Sequence, residues 1–184
     1  MGPLSEIIFL VASYLFGCLN GAYYVGKQLS NQDVRSLGSS NAGARNAGRV
    51  FGRSAFIYTV IIDALKTIVP LLTAAFIFDI NGVLLYLMGL AVLIGHIWPV
   101  QLQFSGGKGV VVYLAVALAL VPITLLIVGG TLLIGLRIKR NFIVVGLIAL
   151  STIPVVLIVL SKLMLAFLFI IMLLIVILVH RNED

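Results

Sequence analysis

The sequence predicts an all-α integral membrane protein of a single domain, residues 1–184, crossed by seven transmembrane helices. Three observations carry that prediction: the composition, the length of the apolar runs and the placement of the basic residues. Hydrophobic residues make up 62% of the chain and charged residues only 10%, where a soluble domain carries about 25% charged residues. So few charges cannot coat a water-facing surface of this size. Several runs reach the roughly 20 apolar residues that a bilayer crossing needs.

The first run, Ile7 to Gly26, lacks a basic start and a small-residue cleavage site, and reads as a retained span. A polar segment follows from Lys27 to Arg53, with five basic residues against Asp33 alone. The second span runs from about Ala55 to Phe78 and ends at the turn Asp79-Ile80-Asn81-Gly82. The third runs from Val83 to about Trp98 and is closed by Pro99. A second polar loop, Gln101 to Gly109, precedes the stretch Val110 to Leu136.

That stretch would measure about 40 Å as one helix, too long for an untilted span. Basic residues mark cytoplasmic loops. Placing the Arg137, Lys139, Arg140 cluster on the same side as the two polar loops requires an even number of crossings in between. The stretch therefore reads as a hairpin of two short helices hinged near Pro122, with Gly129 and Gly130 allowing the second to pack closely on a neighbour. Spans from Phe142 to Leu160 and from Leu163 to Val179 complete the set, joined by a Ser161-Lys162 turn. The resulting topology puts the N-terminus outside and the C-terminus in the cytoplasm. Of the 12 Lys and Arg, all but Lys66 within a span and Lys162 outside then lie inside.

The net charge of +6 is accounted for by this bias, and no nucleic-acid partner is expected. The lone Cys18 excludes an internal disulfide and a cysteine metal cluster.

The polar segments suggest an anion site. Gly38-Ser39-Ser40-Asn41-Ala42-Gly43-Ala44-Arg45-Asn46-Ala47-Gly48-Arg49 combines small residues, which let a backbone approach a ligand, with hydrogen-bonding side chains and two arginines that can fork onto phosphate. A basic loop on anionic lipid is the other reading of this composition. Ser105-Gly106-Gly107-Lys108-Gly109 places a lysine and backbone amides at a helix start, where anions are favoured. It is not a nucleotide-binding loop, because Leu102 and Gly109 stand where that motif needs Gly and Ser or Thr. His180, Arg181 and Asn182 close the last span, and His180 suits a general base. Asp63 and Lys66 share one face of the second span, and charges at membrane depth usually pair, face the bundle and mark function. His96 lies near a cytoplasmic helix end and reads as an interfacial or hydrogen-bonded side chain. In this topology the three polar segments emerge on one face.

The runs GSSNAGARNAGR, GHIWPVQLQFSGGKGV and the terminal HRN resemble, in order, the three motif regions of the bacterial acyl-phosphate:glycerol-3-phosphate acyltransferases, the PlsY family. The resemblance covers nearly the whole chain. It implies seven membrane helices, two of them short, in the bacterial inner or plasma membrane, with the active site facing the cytoplasm. It implies acyl transfer from acyl phosphate to the 1-hydroxyl of glycerol 3-phosphate, giving lysophosphatidic acid and phosphate, the first step of phospholipid synthesis. Acyl phosphate is already activated, so no cofactor and no metal is implied. Membrane lipid and an acyl-phosphate-producing enzyme are the implied neighbours.

By the same resemblance Ser39, Arg49, Lys108, His180 and Asn182 are candidate catalytic residues. Asn41, Arg45, Asn46, Gly106, Gly107, Gly109, His96 and Arg181 are candidate substrate-binding residues. Three departures bear on this, the first being Val111-Val112 where the family usually has alanine-threonine. Arg45 stands where the family usually has threonine. Glu183 stands where the family places a catalytic asparagine, with Asn182 one residue early. A carrier for a phosphorylated metabolite is the competing function, since short helices around an anion site suit transporters as well.

Overall fold

The structure is a computed structural model that describes residues 2–138 and 141–181. Lys139 and Arg140 of the basic cluster, and Asn182 and Glu183 of the tail, lie outside the described residues. All regular structure among the described residues is helical. The helices are α1 (Pro3–Cys18), α2 (Gly21–Ser30), α3 (Ala44–Phe51), α4 (Arg53–Ile77), α5 (Gly82–Ile97), α6 (Val110–Leu120), α7 (Thr124–Ile138), α8 (Phe142–Val159) and α9 (Leu163–Arg181), with short 3-10 turns at Val34–Ser36 and Val100–Leu102. Among the described residues five runs are long and apolar enough to cross a membrane: Pro3–Ser30, Arg53–Ile77, Gly82–Leu102, Phe142–Val159 and Leu163–Arg181. α6 and α7 are apolar but shorter. The chain divides into two compact units, Met1–Ala115 and Val116–Asp184.

In the first unit α1 packs along α5, and α2, α3 and α4 pack on one another. Glycines set the closeness of the first pair. A β-carbon on Gly17 would collide with Val92 O, and one on Gly95 with Tyr14 O, so only glycine lets the two backbones meet. Beneath the first polar segment lies a core of small residues, Ala22, Val25, Val34, Ala42, Ala47 and Ala55, closed by Phe51 and Ile62.

The first apolar run is not one helix. It breaks after Cys18, because Asn20 turns its side chain back to accept the Tyr23 N–H at 2.9 Å and so starts a new helix. A broken helix at membrane depth exposes backbone groups that must find partners inside the protein. Here they do. Gln101 Nε2 donates to Cys18 O, Lys66 Nζ donates to Leu19 O, and Gly21 N–H donates to Asp63 Oδ1. The polar segment also holds a helix the sequence did not signal, α3, with Ala44, Asn46 and Ala47 buried.

In the second unit the break between the two short helices lies where the sequence places it, with Pro122 between α6 and α7. Thr124 Oγ1 donates to Val121 O at 2.8 Å and closes the turn. The expectation for Gly129 and Gly130 is corrected: β-carbons there would meet nothing within 4 Å. The close packing of α7 falls one to two turns later, where a β-carbon on Gly135 would sit 2.6 Å from Val145 Cγ1 of α8. α8 and α9 bury Ile153, Leu157, Phe169, Met172 and Val176 and show large apolar side chains such as Val159 and Phe167 outward, as a lipid-facing surface does.

Candidate active site

The site is built where two polar loops of the first unit adjoin. The first loop runs from residue 31 to residue 43 and leads into α3. Its shape depends on Asn46, which is 1% exposed. Asn46 Nδ2 donates to Leu37 O at 2.9 Å and to Val34 O at 3.1 Å, and Asn46 Oδ1 accepts the Ser39 N–H at 2.9 Å. Read from sequence as a phosphate ligand, this amide is instead occupied in folding the loop. Ser39, Ser40, Arg45 and Arg49 are exposed around it and Asn41 is half-buried. Arg45 and Arg49, four residues apart on α3, share one face.

The glycine loop, residues 103 to 109, folds back onto the end of α5. Gly106 N–H donates to Ile97 O at 3.0 Å and Gly107 N–H donates to His96 O at 3.1 Å. A β-carbon on Gly107 would collide with His96 Nε2 and stand 2.9 Å from Ala42 O. Two of the amides that the sequence offers to an anion are therefore occupied in capping α5. Gly109 has φ +83°, a backbone that favours glycine, and α6 starts immediately after it. Lys108 between them is half-buried.

The loops meet directly where Ala42 N–H donates to Gly106 O at 3.3 Å. Asn20 Nδ2 supports the junction from below by donating to Ala42 O at 3.0 Å. At the outer edge Arg35 forms a second tie. Its Nη1 donates to Leu102 O at 2.6 Å, its Nη2 and Nε grip Asp33 at 2.7 Å and 3.1 Å, and it lies 5.4 Å from the centre of the Tyr23 ring. The hydrogen bonds from Arg35 hold the Asp33 carboxyl below its ordinary range, and Asp33 in turn raises Arg35. The sequence reading missed Asn20, Gln101 and Arg35 as organisers of the loops. The signal for the first was one amide inside an apolar run.

His96, a candidate substrate ligand in the sequence, is 3% exposed. Its Nδ1 is 2.8 Å from Lys66 Nζ. In the second unit His180 Nδ1 lies 2.8 Å from Val176 O, one turn back in α9, and Arg181 is exposed.

A family model described as glycerol-3-phosphate acyltransferase matches residues 7–183. The chain belongs to the glycerol-3-phosphate acyltransferase family. It is an acyltransferase of the membrane. The chain is 39% identical over 153 residues to glycerol-3-phosphate acyltransferase 1 of Bacillus cereus, covering 82% of each protein. It is 38% identical over 152 residues to a glycerol-3-phosphate acyltransferase of Coxiella burnetii, covering 83% of this chain and 78% of that one. Among solved structures it is similar to PlsY, an integral membrane glycerol 3-phosphate acyltransferase, in its glycerol 3-phosphate form. The TM-score is 0.87 at 30% identity, over 97% of this chain and 89% of that chain. The lysophosphatidic acid form of PlsY gives 0.83 at 28% identity.

Proposed function

We propose that this chain transfers a fatty acyl group from acyl phosphate to the 1-hydroxyl of glycerol 3-phosphate, at a cytoplasm-facing site in the bacterial plasma membrane. The observation that carries this reading is the direct hydrogen bond between the two loops, Ala42 N–H to Gly106 O, in a chain whose family acts on glycerol 3-phosphate. It puts the loop bearing Ser39, Asn41, Arg45 and Arg49 beside the loop bearing Lys108, so that cations and hydroxyls can share two phosphate groups.

In the reaction the glycerol hydroxyl oxygen attacks the acyl carbonyl carbon. A new C–O ester bond forms, the bond from carbon to phosphate oxygen breaks, and phosphate leaves with the electron pair. The hydroxyl proton passes to a base, for which His180 is assigned on the sequence resemblance, with Arg181 and Asn182 beside it in sequence. Lys108 and Arg49 offset negative charge as the phosphate departs. Ser39, Asn41, Arg45 and the Gly109 turn hold phosphate oxygens. Asn46, Gly106, Gly107 and His96 serve the same site by holding its loops.

The same proposal has the chain act as one membrane domain with seven crossings, α6 and α7 being the short hairpin, the N-terminus outside and the C-terminus inside. Acyl phosphate is water-labile and activated, so an enzyme that makes it is the proposed neighbour in the membrane.

The test is release of phosphate from acyl phosphate by purified protein, with and without glycerol 3-phosphate. Release that requires glycerol 3-phosphate, and that falls at least about a hundredfold in Lys108→Ala and His180→Ala while both stay folded, is the expected result. Flux of glycerol 3-phosphate across liposomes with no phosphate release selects a carrier instead.

A further inference from the structure

Asp63, Lys66 and His96, buried side chains of the first unit at 1%, 5% and 3% exposure, take no part in the proposed chemistry. They form one node. The Lys66 ammonium has three protons and meets three acceptors: Leu19 O at 2.7 Å, His96 Nδ1 at 2.8 Å and Asp63 Oδ1 at 2.9 Å. The same Asp63 oxygen accepts the Gly21 N–H at 3.1 Å. One pair on α4 therefore holds a carbonyl within the helix break and the first helical amide after it.

The node reaches both loops. With the ammonium donating into Nδ1, the proton of the His96 ring sits on Nε2, the edge that faces Gly107. His96 O accepts the Gly107 N–H. On the other side, the break held by Lys66 and Asp63 carries Asn20, whose amide donates to Ala42 O, and Ala42 N–H donates to Gly106 O. The node thus lies at the root of a closed circuit: Lys66, Leu19, Asn20, Ala42, the glycine loop, His96 and back to Lys66.

A buried ion pair is a poor device for stability alone, since apolar residues of similar volume do as well or better. The further hydrogen bonds that this buried pair needs are drawn from other elements, from Leu19, Gly21 and His96. We infer that Asp63, Lys66 and His96 are positioning residues that fix the first loop and the glycine loop at the spacing glycerol 3-phosphate requires. The naming of that ligand rests on the function proposed above; the positioning itself does not. Groups that set loop spacing without touching the reacting atoms govern affinity more than the chemical step, so their loss raises KM and leaves kcat nearly unchanged.

The test uses Asp63→Asn combined with Lys66→Met, which leaves no unpaired buried charge yet removes the donor from Leu19 O and His96 Nδ1. Two quantities are read in the full chain in detergent: hydrogen exchange in peptides covering residues 38–49 and 104–109, and KM and kcat for glycerol 3-phosphate. The expected result is exchange faster by about tenfold or more in those two segments, with α8 and α9 unchanged. KM rises by about tenfold or more and kcat stays within about threefold. Unchanged exchange in the two loops overturns the inference, whatever the kinetics. A double variant that does not fold also overturns it, because the node is then a folding element. A wild-type protein with no turnover sinks the proposed reaction instead, and the exchange result still decides the role of the node.

Discussion

Two ion pairs of the first unit, Asp33 with Arg35 and Asp63 with Lys66, use the same chemistry in different surroundings. Asp33 and Arg35 meet at the aqueous edge of the first loop, with side chains 28% and 24% exposed. Asp63 and Lys66 meet inside the bundle, 1% and 2% exposed at the side chain. At the edge water screens the charges, and such a pair contributes about 0–1 kcal/mol. Inside, the charges have lost their water, so each must be satisfied by protein. Lys66 accordingly uses all three protons, and the Asp63 oxygen that meets it also takes a backbone amide. The difference teaches that the edge pair is an adjustable tie between loops, whereas the inner pair cannot lose one member cheaply.

The largest expected effect comes from breaking the inner pair on one side. Lys66→Met leaves Asp63 buried and unpaired, and should cost about 3–5 kcal/mol, measured by equilibrium unfolding in mixed micelles. The charge-free double variant should recover most of that loss. If the single variant is no less stable than the double, the contrast between the two pairs is wrong.

Next is Gly107→Ala, which sets a β-carbon against His96 Nε2 and Ala42 O. Overpacking of this kind costs about 1–3 kcal/mol, and the same unfolding titration reads it. The cost of Gly107→Ala should be smaller when it is measured in a His96→Ala background, since the colliding ring is then absent.

The smallest effect belongs to the edge pair. Asp33→Asn should cost about 0–1 kcal/mol. Because folding lowers the Asp33 carboxyl, its contribution is complete above the ordinary aspartate range near ~4 and is lost as the pH falls through the lowered value. The wild-type minus Asp33→Asn stability difference should therefore shrink below about pH 4 and shrink with added salt. A difference that grows on acidification contradicts the assignment.

The long helices were legible because an apolar run of membrane-spanning length has few alternatives in lipid. The break at Pro122 was legible because the apolar stretch is long for one span and proline is poorly tolerated inside a helix. The break at Leu19 and Asn20 was not. Its cause is one amide, and its compensation comes from Lys66 and Gln101, far away in sequence. α3 was not legible either, since eight residues with three small and two basic side chains read as loop until their buried face is seen. In the candidate site, the sequence marked out both polar loops, which adjoin through Ala42 and Gly106. It could not tell the exposed groups Ser39, Arg45 and Arg49 from Asn46 and His96, whose polar atoms are turned inward. That distinction depends on burial, which composition does not carry.

The most direct test of the account measures both products of one reaction. Purified protein given acyl phosphate and glycerol 3-phosphate should release phosphate and form 1-acyl lysophosphatidic acid, detected by mass spectrometry, in a one-to-one ratio. Phosphate release without the lipid product, or with equal release when glycerol 3-phosphate is omitted, would contradict it.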